Sequence, residues 1–128
     1  MAMQGSSISN CDVGSVTVKL SDEGTYHITV GCTDMGTGCD TIIAQFAADV
    51  LETPIDNISV YGVDTDISPY DSGSYASSTT YLTGMAAVKA CEQLRERIIA
   101  LAAVRMNKDA RSLTFDGEMS SMSRTAQK

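Results

Sequence analysis

The segment VGCTDMGTGCDTIIAQFAADVL, residues 30–51, changes character twice within a short span. It opens on the last apolar residue of an alternating run and passes through the glycine-punctuated stretch Thr33-Asp34-Met35-Gly36-Thr37-Gly38. It then turns into Ile42, Ile43, Phe46, Ala47, Val50 and Leu51 at helical spacing. Those apolar positions fall on one stripe of a helix. Asp40 or Thr41 is placed to cap its start and Pro54 to end it, so the pattern predicts a helix over about 40–52. The unit is strand, Gly-rich loop, helix.

Working outward toward the N-terminus, Tyr26, Ile28 and Val30 alternate with His27 and Thr29, and Val16, Val18 and Leu20 alternate with Thr17 and Lys19. Period-two alternation around the Ser21–Gly24 turn predicts a half-buried β-hairpin. His27 falls on its polar side, away from any proton-transfer role. Toward the C-terminus, Ile58, Val60 and Val63 predict another strand, and a long hydroxyl-rich loop follows over 64–78. Tyr81, Met85, Val88, Cys91, Leu94, Ile98 and Leu101 then recur at helical spacing, predicting a helix over about 79–104. Leu113-Thr114-Phe115 before Asp116-Gly117 reads as a strand entering a turn, with no apolar return arm. The fold class is α+β, one unit over residues 1–128, of order β-β-α-β-α-β.

Composition narrows the function. The chain has 128 residues, 43% of them hydrophobic, the size of one ordinary domain. Net charge is -7, and residues 1–88 carry eleven acidic side chains against Lys19 alone. Such a front half repels nucleic-acid backbones and anionic lipid. Arg95, Arg97, Arg105, Lys108 and Arg111 are read as a solvated face. No membrane-length apolar run or signal peptide is visible, so a soluble, cytoplasmic protein is expected. Cys11, Cys32, Cys39 and Cys91 lack CxxC spacing and are read as buried reduced thiols, with no metal ligated by this chain.

Two loops carry the candidate chemistry. Gly36-Thr37-Gly38 precedes the first helix and Ser74–Ser78 the second, each offering backbone N–H groups and small side chains to an anionic or electron-rich ligand. Asp64, Asp66, Ser68 and Tyr70 imitate a calcium loop, but Pro69 stands at its glycine position and Tyr75 at its glutamate position. A single histidine on a strand leaves a hydrolytic triad without a base.

The segment 30–51, together with VYGVDTDISPYDSGSYASSTTYLTGMAAVKAC over 60–91, resembles the large subunit of the molybdenum hydroxylases. That family includes xanthine dehydrogenase, aldehyde oxidoreductase, nicotinate dehydrogenase and 4-hydroxybenzoyl-CoA reductase, and the resemblance covers about Gly24 to Ala103. It implies that Gly36, Thr37 and Gly38 match the family's GQG cofactor loop. It also implies that Ser74, Tyr75, Ala76 and Ser77 match the segment beside the pterin and metal. The expected role of both is to bind and position molybdopterin carrying molybdenum.

The resemblance implies a small-molecule substrate, either an N-heterocycle, an aldehyde or an aromatic compound. It also implies iron-sulfur clusters and FAD on other subunits or domains. Thr37 departs from the family's glutamine, so a longer amide contact is missing. The family's catalytic glutamate lies in a later GxGE motif that this sequence lacks, so no catalytic residue is assigned. The chain is therefore expected to be an internal part of a longer subunit, inactive alone and prone to self-association. A cofactor-free interaction module of the same ancestry is the alternative.

Overall fold

The computed structural model describes residues 11–117, in which a three-stranded sheet carries two helices. Strands β1 (Val16–Leu20) and β2 (Tyr26–Val30) form the antiparallel hairpin, with Leu20 opposite Tyr26. Ser21 closes the turn: its N–H donates to the Thr25 carbonyl at 2.9 Å and its hydroxyl accepts from the Thr25 N–H at 3.2 Å. Helix α1 (Cys39–Leu51) then crosses over to β3 (Ile58–Gly62), which pairs parallel to β2 with Ile58 opposite Tyr26. The sheet order is β1-β2-β3. A parallel neighbour requires such a crossover connection, which is why the loop and helix of residues 31–57 sit between the two strands.

Alternation determines what is buried. Tyr26, Ile28 and Val30 are at most 1% exposed, while His27 and Thr29 between them are half-buried on the other face. His27 lies beside the Tyr61 ring there, centroids 6.1 Å apart. The core joins those β2 side chains to Ile43, Ala47 and Leu51 of α1 and to Ala87 and Cys91 of α2 (Gly84–Met106). Phe46 turns from the sheet toward α2. A methyl added to Gly84 would lie 2.6 Å from its ring, so the missing side chain lets the helices approach.

Several expectations need correcting. The second helix begins with a π-helical turn at Thr79–Thr83, in place of a regular α-helical start, and it runs on to Met106. Val63 lies outside β3, with a left-handed φ of 55°. Cys11 is exposed, whereas Cys32, Cys39 and Cys91 are buried free thiols. The expected last strand is absent: Leu113 makes only an isolated bridge after a 3₁₀ turn at Ala110–Ser112. Asp109 imposes that turn by accepting the Arg111 N–H at 2.9 Å. Phe115 is instead buried against the core and lies 5.5 Å beneath the Arg95 guanidinium, which also pairs with Glu52 at 2.6 Å. Arg95 is thus only partly a solvated cation. The segment SMSRTAQK lies outside the described residues. Among the described residues no helix is long and apolar enough to cross a membrane.

Candidate cofactor groove

Both candidate loops meet at the C-terminal end of the parallel pair β2–β3, where Cys32 and Gly62 lie side by side. A cavity of about 370 Å³ opens between them. Met35, Thr37, Cys39 and Ile42 line one wall, and Ser74, Tyr75, Ala76, Ser77, Thr79 and Thr80 the other. Five expected site residues, Thr37 and Ser74 through Ser77, are therefore brought together; Gly36 and Gly38 flank the cavity without lining it. Sequence reading missed Met35, Cys39, Ile42, Thr79 and Thr80. The last two fall at the start of the second helix, where a hydroxyl run is itself a signal of exposed donors.

The first loop is shaped by Asp34. Its carboxylate accepts the Gly36 N–H at 2.8 Å and the Gly38 N–H at 3.1 Å. Those bonds, Gly38 first, hold its carboxyl below the ordinary range. Gly36 and Gly38 adopt φ of 91° and 74°, and a methyl on either would meet nothing within 4 Å. Glycine is required at these two positions for backbone conformation, not for space inside the protein. Gly38 rather than Asp40 or Thr41 occupies the helix cap, and it caps with no side chain.

The second loop is held from several sides. The Ser74 hydroxyl donates to the Thr33 carbonyl and accepts the Thr33 N–H, both at 3.1 Å, and so ties the two loops directly. Ser72 pairs with Val13 through its N–H at 2.9 Å and its hydroxyl at 3.1 Å. The Tyr75 hydroxyl donates to Asp12, a contact that raises the phenol's pKa. Ser78 closes the turn by donating to the Gly73 carbonyl at 3.0 Å. Ala76 and Ser77 are both left-handed, φ 47° and 63°, a conformation costing about 1–2 kcal/mol per non-glycine residue. Such strain persists only where the surroundings over-determine it.

This bonding divides the hydroxyls into two sets. Ser72, Ser74, Tyr75 and Ser78 are committed to the scaffold. Thr79 is a residue of the cavity lining, and its Oγ1 is buried with no hydrogen-bond partner. A buried, unsatisfied hydroxyl is costly and calls for a ligand polar atom. The groove is thus suited to a partly apolar ligand with several acceptors, held by neutral donors in an acidic chain.

Other clusters are weaker. Asp34, Cys39 and Asp40 have ligand atoms within 4.8 Å of one another, yet burial, reinforced by Asp40, pushes the Cys39 thiol up, and Asp34 is engaged by the loop amides. Burial first, and then the Cys39 and Asp71 side chains, push Cys32 up to about 12. Protonated thiols are poor nucleophiles and poor metal ligands. In the acidic loop, Asp64 accepts the Asp66 N–H at 3.0 Å and so closes a local turn.

A sheet carrying both helices on one face, with two small-residue loops converging on a neutral-donor groove, defines a cofactor-cradling domain. The chain belongs to the molybdopterin cofactor-binding domain family, whose model matches residues 1–128. It is 42% identical over 97 residues to the "Probable hypoxanthine oxidase XdhD" of Escherichia coli (strain K12), covering 76% of this chain and 10% of that protein. It is 33% identical over 105 residues to the xanthine dehydrogenase molybdenum-binding subunit of Escherichia coli O157:H7, covering 81% and 14%. The chain thus spans about a tenth of the length of these curated relatives.

Among solved structures, CO dehydrogenase from Oligotropha carboxidovorans superposes with a TM-score of 0.77 at 26% identity, covering 83% of this chain and 13% of that one. Quinoline 2-oxidoreductase from Pseudomonas putida 86 gives 0.72 at 27%, covering 82% and 13%. The expected family, the α+β class and the molybdopterin association are borne out.

Proposed function

We propose that this domain supplies one wall of the molybdopterin site in a molybdenum hydroxylase acting on an N-heterocycle, with aldehydes and other aromatic compounds as further substrate classes. The observation that carries the reading is the Thr33–Ser74 pair of hydrogen bonds, which joins two loops 41 residues apart into one groove. The names of relatives that act on hypoxanthine, xanthine and quinoline favour the heterocycle.

In this reading Thr37, Ser77, Thr79 and Thr80 present hydroxyls to the cofactor, and the Tyr75 ring and Ala76 pack against it. Ser74 positions the second loop, and Gly36 and Gly38 keep the entrance clear. When bound, molybdopterin supplies the molybdenum redox chemistry that hydroxylates the substrate. This chain's residues bind and orient the group and keep water from its enclosed edge. The base comes from elsewhere in the protein, as do the iron-sulfur and FAD groups that accept electrons. Buried free thiols suit a reducing, cytoplasmic setting.

The test is the molybdopterin content of the protein that carries this domain, read as pterin fluorescence after oxidative release, in wild type and in Thr79→Val. Stoichiometric pterin in wild type and a loss in Thr79→Val, with folding retained, is the expected result. A correctly folded wild type without pterin overturns the reading and favours the cofactor-free interaction module, to which Thr37 in place of glutamine points.

A further inference from the structure

Asp71 lies outside the cavity lining, yet it bonds to residues on both sides of the segment that forms the second wall. Its Oδ1 accepts the Gly73 N–H at 2.8 Å, and its Oδ2 accepts the Thr83 hydroxyl at 2.8 Å. Thr83 is 1% exposed and ends the π-helical turn. Its backbone is pressed by Gly14, where an added methyl would sit 2.8 Å from the Thr83 nitrogen. On the other side, a methyl on Gly31 would lie 2.8 Å from the Asp71 Cβ, so the end of β2 lies directly against this residue. A single carboxylate thus closes a ring from residue 71 to residue 83. Within that ring lie the left-handed Ala76 and Ser77, the unpartnered Thr79 Oγ1 and the entire second wall.

We propose that Asp71 is a positioning residue, the clasp that holds residues 72–80 in the geometry in which they receive molybdopterin. The inference rests on the functional reading above for its ligand, but not for the clasp itself. In the structure both partners donate, an N–H and an O–H, and both carboxylate oxygens accept. Asparagine would keep the ring, its Oδ1 accepting the Gly73 N–H and its NH₂ donating to the Thr83 hydroxyl oxygen, so alanine is the substitution that opens the clasp. With the clasp open, the strained pair at Ala76 and Ser77 relaxes and the Thr79 hydroxyl is no longer fixed.

The experiment uses the full protein that carries this domain, as wild type, Asp71→Ala, Thr83→Val, Thr83→Ser and the Asp71→Ala/Thr83→Val double variant. Two quantities are read: hydrogen exchange of the 72–80 peptide against that of α1, and molybdopterin per folded chain. Asp71→Ala and Thr83→Val each should speed exchange at 72–80 and lower pterin about tenfold, whereas Thr83→Ser should stay near wild type. The double variant should lose no more than either single one, because both substitutions open the same clasp.

Unchanged exchange at 72–80 in Asp71→Ala overturns the clasp. Faster exchange with full pterin overturns its positioning role, as do losses that add in the double variant. A wild type without pterin refutes the functional reading and the positioning role together, and the exchange comparison then decides whether the clasp exists.

Discussion

Gly31→Ala should be the most damaging single-methyl addition in the loop region. Gly31 follows β2 and has no positive φ, so backbone conformation is not what requires glycine there. The requirement is space: an added Cβ would land on the Pro69 carbonyl oxygen, 2.8 Å from the Asp71 Cβ and 3.1 Å from the Asp71 nitrogen. Two of those three atoms belong to backbone, so no side-chain rotation relieves the clash. Ordinary overpacking costs about 1–3 kcal/mol. Relief by moving residues 69–71 instead breaks the bonds of Asp71 to Gly73 and Thr83, each worth about 1.5–3 kcal/mol with a charged acceptor.

The structure takes the less costly route, so we expect a loss of about 3 kcal/mol. Gly36→Ala is the control. Its methyl meets nothing within 4 Å, and only its φ of 91° opposes it, at about 1 kcal/mol after the entropy lost from the unfolded chain is counted. Opening free energies of the β2 amides, measured by native-state hydrogen exchange in the protein carrying this domain, compare the two. A Gly31→Ala loss no larger than that of Gly36→Ala would refute the packing argument.

Gly36→Val or Gly38→Val should lower molybdopterin per folded chain more than it lowers stability; full pterin alongside a reduced melting temperature would make this loop structural only. With a thiol reagent near neutral pH, Cys11 should react while Cys32, Cys39 and Cys91 stay protected until the domain opens, because burial holds Cys32 up to about 12 and Cys91 up to about 11. Labelling of Cys32 as fast as Cys11, followed by mass spectrometry, would contradict the fold. Asp34 has a lowered folded pKa, so its support of the Gly36 loop is present at neutral pH. That support should be lost as pH falls below 3.8 toward the folded value. The Gly36 and Gly38 amide resonances should therefore titrate with a midpoint under 3.8 and cease to do so in Asp34→Asn; a midpoint at or above 3.8 would dissociate the carboxylate from the loop.

The parts of the fold whose cause is local were legible in the chain alone. Alternation in residues 16–30 dictated which hairpin face is buried, because a strand's side chains point to opposite sides in turn. The apolar stripe and Pro54 bounded α1 to within a residue, and glycine spacing marked the Gly36–Gly38 loop. Tertiary structure decided what depends on residues far apart in the chain. Asp71-Ser72-Gly73 is legible as a turn signature, but nothing local says that the second carboxylate oxygen reaches Thr83.

The division of one hydroxyl-rich loop into scaffold bonds and groove donors follows from where Val13, Thr33 and Asp12 come to lie. The π-helical turn at Thr79–Thr83 and the missing last strand arose the same way. Helical spacing does not distinguish a widened first turn from a regular one. A strand pattern at Leu113–Phe115 becomes a strand only where a neighbouring strand accepts its hydrogen bonds; here Phe115 is buried in the core instead, beneath Arg95.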